Sequence, residues 1–392
     1  ENAASQAITF DVNIGNVASE YYVLDGTANT VTLSKDYRPA NTLYVTVGGL
    51  VQEPGINYTT DSTTLTLINT YPILNGTDVE VRYLPYTGEI AAPTSSGPSG
   101  PSQAQGSSHG YTSGGTTPVE MRNTIDKFPF TSDTSATDVG DLSKDRWRSA
   151  GQSSSTNGYV SGGNERNAGT CNIIDKFPFA VDTNATHVAD LTSVKEQVTG
   201  QSSTTHGYTS GGVTAAVTNE IEKFPFASDT NATDVGNLTA ARRFVAGQSS
   251  FTHGYTSGGL SPGTGYHNVI DKFPFASDTN ATDVGDLTQA NFGQAGQSSS
   301  THGYASGGSN AQAASNNIDK FPFASDDNAT DIGSLTATKY GIAGQSSTEF
   351  GYVSGGYSTL DTIEKFSFTA DGNATDVGEL TVARYYMAGQ QV

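Results

Sequence analysis

Apolar and polar positions along this chain alternate with a period of two, and nowhere do they form the i, i+3, i+4 stripe of a capped amphipathic helix. Residues 42–47 (T-L-Y-V-T-V), 64–67 and 78–83 alternate cleanly, and Gly48-Gly49, Pro54-Gly55 and Asn75-Gly76 supply turns between them. This pattern predicts a small N-terminal β module over residues 1–85, of the β-sandwich kind. Residues 86–103 are rich in Pro, Gly and Ser, a composition that buries no core and predicts a semi-flexible linker.

From residue 104 to residue 392 the chain repeats itself. The phrase G-Y-x-S-G-G places Tyr111, Tyr159, Tyr208, Tyr255, Tyr304 and Tyr352 at spacings of 47 to 49 residues. I-[DE]-K-F-[PS]-F carries Phe128, Phe177, Phe224, Phe273, Phe321 and Phe366, and a phrase close to N-A-T-D-V-G-D-L-T follows each time, from Leu142 to Leu380. A fourth, close to A-R-x-x-x-A-G-Q, ends at Gln152, Gln201, Gln248, Gln297, Gln345 and Gln390. Each phrase reads as a short strand. Phe224 and Phe226 show the two-residue period around Pro225, and a proline, which cannot donate to a ladder, belongs at a strand end. Four strands per repeat, six times over, predict an all-β fold with a six-bladed β-propeller of four-stranded blades.

Composition narrows the function. Nineteen Lys+Arg against 39 Asp+Glu leave a net charge of −20, and charged residues make up only 15% of the chain. A nucleic-acid partner, which needs clustered cations, is therefore disfavoured. Seventeen Phe, 19 Tyr and the single Trp147 give ample material for a core. The lone Cys171 excludes an internal disulfide and any multi-cysteine metal site, and no apolar run reaches the ~18 residues of a membrane-inserted span.

The order R-x-x-x-A-G-Q-S-S, G-Y-x-S-G-G, I-x-K-F-x-F, V-G-x-L over residues 104–392 resembles the kelch repeat, departing from it where kelch carries a Trp. The resemblance implies a ring closed when the tail, residues 384–391, supplies the first strand of the blade containing Tyr111. The stretch L-Y-V-T-V-G-G-L-V-Q-E-P-G-I-N-Y-T-T, followed by T-T-L-T-L and G-T-D-V-E-V-R-Y, resembles a module of bacteriophage tail-fibre and other virion proteins. That likeness implies a virion or extracellular location, attachment to other virion proteins through the N-terminal module, and a homo-oligomer. The expected function is a tail fibre or appendage whose propeller loops bind a host cell-surface glycan or protein without catalysis. The alternatives are a virion assembly or decoration protein without a receptor, and a secreted bacterial glycan-binding or glycan-active propeller.

The loops after Gly-Gly vary over a fixed framework, which makes them the expected binding surface. Arg122, Glu165, Arg166, Tyr266, His267, Asn310, Gln312 and Tyr357 are the candidates, polar and aromatic residues suited to sugar-like or peptidic targets. Turns such as Asp229-x-Asn231-x-x-Asp234 gather oxygens as calcium requires, but Ser135 and His187 interrupt other copies and self-capping explains the pattern. No cofactor is expected. The five N-A-T sequons descend from one repeated phrase and count once. His109, His206, His253 and His302 are expected to be packed and hydrogen-bonded, and the repeated glutamines to satisfy backbone groups beside the innermost strands. Catalysis needs a nucleophile, acid and base that differ in identity, so an active site breaks repeat symmetry. Neither the Cys–Tyr pair of copper-using kelch-like oxidases nor the arginine triad of sialidases is present, and no enzyme is expected.

Overall fold

A computed structural model describes residues 19–24, 30–33, 43–47, 50–52, 58–61, 64–67, 77–83, 105–310, 312–357 and 360–392. The described residues form strands, turns and bends and no helix. The chain divides into two compact units, Glu1–Ser96 and Gly97–Val392. The linker expected over 86–103 lies outside the described residues.

Among the described residues of the first unit, two antiparallel sheets share one core. One has the strand order Ser19–Leu24, Thr77–Tyr83, Leu43–Val47, Leu50–Gln52, and the other Thr30–Thr32, Thr64–Leu67, Tyr58–Asp61. The two-residue period is the cause. Leu43 and Val45, Val79 and Val81, and Leu65 and Leu67 each share a strand face and meet Leu24, Val31 and Tyr58 in a single buried cluster. Burial pushes the Tyr58 pKa up to about 12, and its hydroxyl donates to the Leu43 carbonyl at 3.0 Å, so the buried polar atom is satisfied.

The described residues of the second unit include six four-stranded antiparallel sheets, numbered I to VI here by the chain order of their tyrosine strands. Sheet III is typical: Thr199–Ser202 (inner), His206–Ser210, Glu220–Pro225 and Thr233–Asn237 (outer) pair in sequence order. Each strand is one of the repeated phrases. Pro225 ends the third strand, where its missing N–H costs no ladder bond, and the outer strand bulges between Asp234 and Gly236. In sheet I the inner strand is Ala388–Gln391, the last of the chain. It pairs with His109–Ser113, placing Gln390 opposite Tyr111.

Four kinds of side-chain contact join each sheet to the next. Tyr159 lies 5.5 Å from Phe224 and stacks on Phe226 at 4.8 Å, and Tyr352 of sheet VI meets Phe128 and Phe130 of sheet I in the same way. Burying one such ring contributes roughly 1.5–3 kcal/mol. The inner-strand glutamines donate from Nε2 to tyrosine carbonyls: Gln152 to Tyr208, Gln201 to Tyr255, Gln248 to Tyr304, Gln297 to Tyr352, Gln345 to Tyr111 and Gln390 to Tyr159. A Ser or Thr after each outer strand donates N–H and hydroxyl to a buried third-strand carboxylate, as Thr239 does to Asp271 and Thr381 to Asp126. At the surface six Lys–Asp pairs, from Lys127–Asp182 to Lys365–Asp133, span 2.5–2.9 Å. Such half-exposed pairs contribute at most about 1 kcal/mol each. In every set, the contact leaving sheet VI lands on sheet I.

The Asp-rich turns correct one expectation. Only their last Asp caps locally, Asp234 accepting from the Gly236 N–H. Asp229 instead accepts Lys176, and Asn231 Oδ1 accepts the Asp190 N–H, both from sheet II. The repeated Asp and Asn are there to join neighbouring sheets.

Inside the sheets, the third-strand carboxylate holds a buried cation from the A-R-x-x phrase: Arg146–Asp175, Lys195–Glu222, Arg242–Asp271, Lys339–Glu364 and Arg384–Asp126. Sheet V breaks the rule. Its cation position is Asn291, so buried Asp319 keeps its two bonds from Thr288 without a cation, and burial raises its pKa against those bonds.

Candidate functional site

The fourth repeated phrase, A-R-x-x-x-A-G-Q, has three varying residues between its cation position and Ala-Gly-Gln, and it builds the region where the six sheets differ most. Its second x residue is Arg148, Gln197, Phe244, Gly293, Gly341 or Tyr386, and in every sheet it is left-handed, with φ between 53° and 68°. The cause is a closed set of backbone hydrogen bonds. Arg148 N–H donates to the Tyr386 carbonyl, Gln197 to Arg148, Phe244 to Gln197, Gly293 to Phe244, Gly341 to Gly293 and Tyr386 to Gly341, at 2.6–2.9 Å. This collar frames a cavity of about 110 Å³, whose walls also include Ser149, Gln294 and the Ala-Gly starts of the inner strands. Several water molecules fit such a space.

The first x residue pairs with the loop after Gly-Gly. Trp147 opposes Asn164, Glu196 opposes Val213, Arg243 opposes Leu260, Phe292 opposes Ser309 and Tyr385 opposes Thr116, while Tyr357 N–H donates to the Tyr340 carbonyl. The x-x pairs therefore form the inner ring of this end and the Gly-Gly loops its rim. Aromatic residues connect the two. Tyr266 stacks on Phe292 at 5.8 Å and Tyr357 on Tyr340 at 4.7 Å, and Phe292 lies 5.6 Å from both Phe244 and Tyr340. Phe244 is 5.1 Å from Tyr386, which meets Trp147 edge-on at 5.7 Å. The Arg148 guanidinium lies 3.7 Å over Trp147 and 3.3 Å from Glu196. Burial raises the Tyr340 and Tyr386 pKa values, so both phenols are neutral.

Polar satisfaction differs between the two ends of the inner strands. Near the collar, Gln197 Oε1, Gln294 Oε1, Ser149 Oγ, Arg148 Nε and Trp147 Nε1 have no hydrogen-bond partner among the described residues. At the far end, the N–H groups of Ser153, Ser202, Ser249 and Ser298 each meet a serine hydroxyl of the next sheet at 2.9–3.0 Å.

The residues singled out from the sequence are spread around the rim. Tyr266 and Tyr357 belong to the aromatic patch. Arg122 pairs with Glu120 at 2.6 Å, and Arg166 lies 3.9 Å from the same carboxylate. Glu165 sits opposite Arg146 in a short hairpin. Asn310 donates to Asn291 at 3.3 Å and caps the N–H groups of Gln312 and Ala313, with Gln312 itself exposed. His267 contacts Thr264, and burial, then Arg242, lowers its pKa. Sequence reasoning missed the inner ring: Trp147, Arg148, Gln197, Phe244 and Tyr386. The signal was present as three adjacent varying positions inside an otherwise near-constant phrase.

The other candidate groups have local partners. His206, His253 and His302 sit at the opposite strand ends, each Nδ1 2.8 Å from the preceding threonine hydroxyl, and burial lowers their pKa values. Cys171 is buried, which pushes its thiol pKa up and makes it a poor nucleophile. Among the described residues no three His, Cys, Asp or Glu side chains are grouped to hold a metal. No protein-family model matches the chain, and no curated protein matches it either.

Proposed function

We propose that the second unit is a kelch-like six-bladed β-propeller, and that the chain is a bacteriophage virion protein, a tail fibre or similar appendage that binds the host surface through its collar end. The circular contact sets, which return from sheet VI to sheet I, support the propeller reading. The two sheets around one core support a sandwich-like first unit, which would attach the chain to other virion proteins as part of a homo-oligomer. The protein acts on the virion, outside the cell.

One observation carries the adhesive reading. The collar requires only a left-handed backbone, and Gly293 and Gly341 supply it. The other four positions carry Arg, Gln, Phe and Tyr, each costing about 1 kcal/mol relative to glycine in that conformation. Side chains kept against the backbone's preference have work beyond the fold. Aromatic rings, amides and a stacked guanidinium recognise a surface by contact, so the reading is non-covalent binding of a host glycan or protein. Several copies per particle multiply a weak single-site affinity.

The test is binding of fluorescently labelled full chain to a panel of intact bacterial cells, read by flow cytometry. Wild type is expected to bind at least one strain, and the combined Arg148→Gly, Phe244→Gly and Tyr386→Gly variant to lose that binding with an unchanged melting temperature. Equal binding by the variant defeats the proposal. Gel filtration of the full chain is expected to give a mass above the 40.8 kDa monomer.

A further inference from the structure

Resting on the adhesive reading, we propose that the rim of sheet IV binds a sugar ring carrying a carboxylate, with Arg243 on the carboxylate and Tyr266 beside the ring. Charge singles out the residue. Every Lys and Arg between residues 105 and 392 lies within 4.0 Å of a carboxylate except Lys144 and Arg243. Lys144 is exposed on a turn, where water serves it. Arg243 is half-buried and held in place. Its N–H donates to the Leu260 carbonyl at 3.1 Å, and the Leu260 N–H donates back at 2.9 Å. Its Nε is covered and unpartnered, so the two terminal nitrogens are what it shows to solvent, and they too have no partner among the described residues. Carboxylates are plentiful in a chain of net charge −20, yet Glu196, at the equivalent position of sheet III, is engaged by Arg148 at 3.3 Å.

Strand pairing sets what surrounds the guanidinium. Arg243 opposes Leu260, and Leu260 opposes Tyr266. Directly opposed residues of an antiparallel ladder put their side chains on one face. Arg243 and Tyr266 therefore stand on either side of half-buried Leu260, about 10 Å apart at their bases by two strand spacings. Phe292 of sheet V joins the two sides. Tyr266 stacks on it at 5.8 Å, and it lies 5.6 Å from Phe244, whose ring centre is 5.9 Å from the Arg243 guanidinium. The Tyr266 hydroxyl has no partner among the described residues and is open to solvent. A guanidinium is a planar fork of donors that matches a carboxylate. Apolar and aromatic surface receives the C–H face of a sugar ring, and a few placed polar groups fix its orientation. One open cation and one open phenol flanking an apolar strip fit a ring with a single carboxylate and several hydroxyls. An acidic peptide fits less well: its run of charges calls for several free cations, and Arg122, Arg148 and Arg166 at this end are already paired.

The experiment titrates full-length protein with glucuronate and N-acetylneuraminate, with glucose and N-acetylglucosamine as neutral sugars, with acetate as a bare carboxylate and with hexaglutamate as an acidic peptide, each read by saturation-transfer NMR of the ligand. At least one acidic sugar is expected to bind with a Kd of about 1 mM, and both neutral sugars and acetate at least about tenfold more weakly. Raising NaCl from about 50 mM to about 500 mM is expected to weaken the acidic sugar at least about threefold. Arg243→Gln is expected to weaken it at least about tenfold, with a melting temperature within about 2 °C of wild type because its backbone pairing with Leu260 is kept. Tyr266→Ala is expected to weaken it at least about fivefold. Neutral sugars or acetate binding as tightly as the acidic ones, no acidic sugar binding, or binding untouched by Arg243→Gln each overturns the proposal, and hexaglutamate binding through Arg243 in place of any sugar overturns it in favour of a protein ligand. The two readings fail separately. If Arg243→Gln keeps full cell binding while the collar triple variant loses it, the adhesive reading stands and this one falls; if wild type binds no cells, the adhesive reading falls and the sugar titrations still decide this one.

Discussion

Asp319→Asn and Asp271→Asn are the same substitution at equivalent places in sheets V and IV, and the structure gives them opposite signs. Asp271 holds Arg242 in a pocket that excludes solvent from both side chains. Neutralising it strands a buried guanidinium, which costs about 3–5 kcal/mol. Asp319 has Asn291 where the cation would be and is held by Thr288 alone. Removing its charge relieves a desolvation cost while the Thr288 N–H keeps an acceptor, a gain of about 1 kcal/mol, or roughly 2–4 °C in Tm for a domain of this size. The pH dependence follows. The folded-state pKa of Asp319 lies above its ordinary 3.8, so the folded protein binds this proton more firmly than the unfolded chain does. Its contribution is fully present below 3.8 and is lost as pH rises through the raised value, the reverse of a salt-bridged aspartate. Calorimetric melting from acid to neutral pH is the assay: Asp319→Asn is expected to gain most above that window and to flatten the slope within it. Asn291→Lys, placing its ammonium beside Asn317 and Asp319 as Lys339 lies beside Thr362 and Glu364, is expected to stabilise as well. A loss for Asp319→Asn matching that of Asp271→Asn would refute the account.

Two further outcomes test the contacts around the inner strands. A Cβ added at Gly296 would lie 2.0 Å from the Gly247 carbonyl oxygen, a backbone atom, so Gly296→Ala is expected to lose at least about 1–3 kcal/mol in urea unfolding. Truncation after Met387 removes the strand that pairs with His109–Ser113 and leaves the Gly110 to Ser113 edge bare; loss of a single cooperative calorimetric transition is expected, and an unchanged melt would contradict the pairing.

Much of this architecture was legible because periodicity is a local property. Residues 43–47, 64–67 and 77–83 are strands where alternation placed them, and Pro178, Pro225 and Pro274 each end a strand as a missing donor requires. The glutamine phrase was read as satisfying backbone groups, and Nε2 of each one does reach a tyrosine carbonyl. What stayed hidden depended on contacts between repeats. The roles of Asp229 and Asn231 require knowing that sheet II lies against sheet III, which no turn signal conveys. Arg146 and Asp175 are 29 positions apart and meet only once the strands pair, so the buried ion pairs escaped notice although both residues recur visibly. The inner ring is hidden for a different reason: the Gly-Gly loops vary in length, whereas Arg148, Gln197 and Phe244 vary only in identity inside a segment of constant length.

The glutamine, lysine and Ser/Thr bonds between sheets all run in one direction, with the donor on the earlier sheet and the acceptor on the later. Every sheet accordingly has one giving flank and one receiving flank, like a protomer in a heterologous head-to-tail assembly, and circular closure leaves neither flank bare. A fragment holding three consecutive sheets would keep one flank of each kind and be complementary to its own copy. Such halves should pair into a non-covalent body of six sheets when the angle closes and grow into filaments when it does not, so the continuous polypeptide acts here as a counting device.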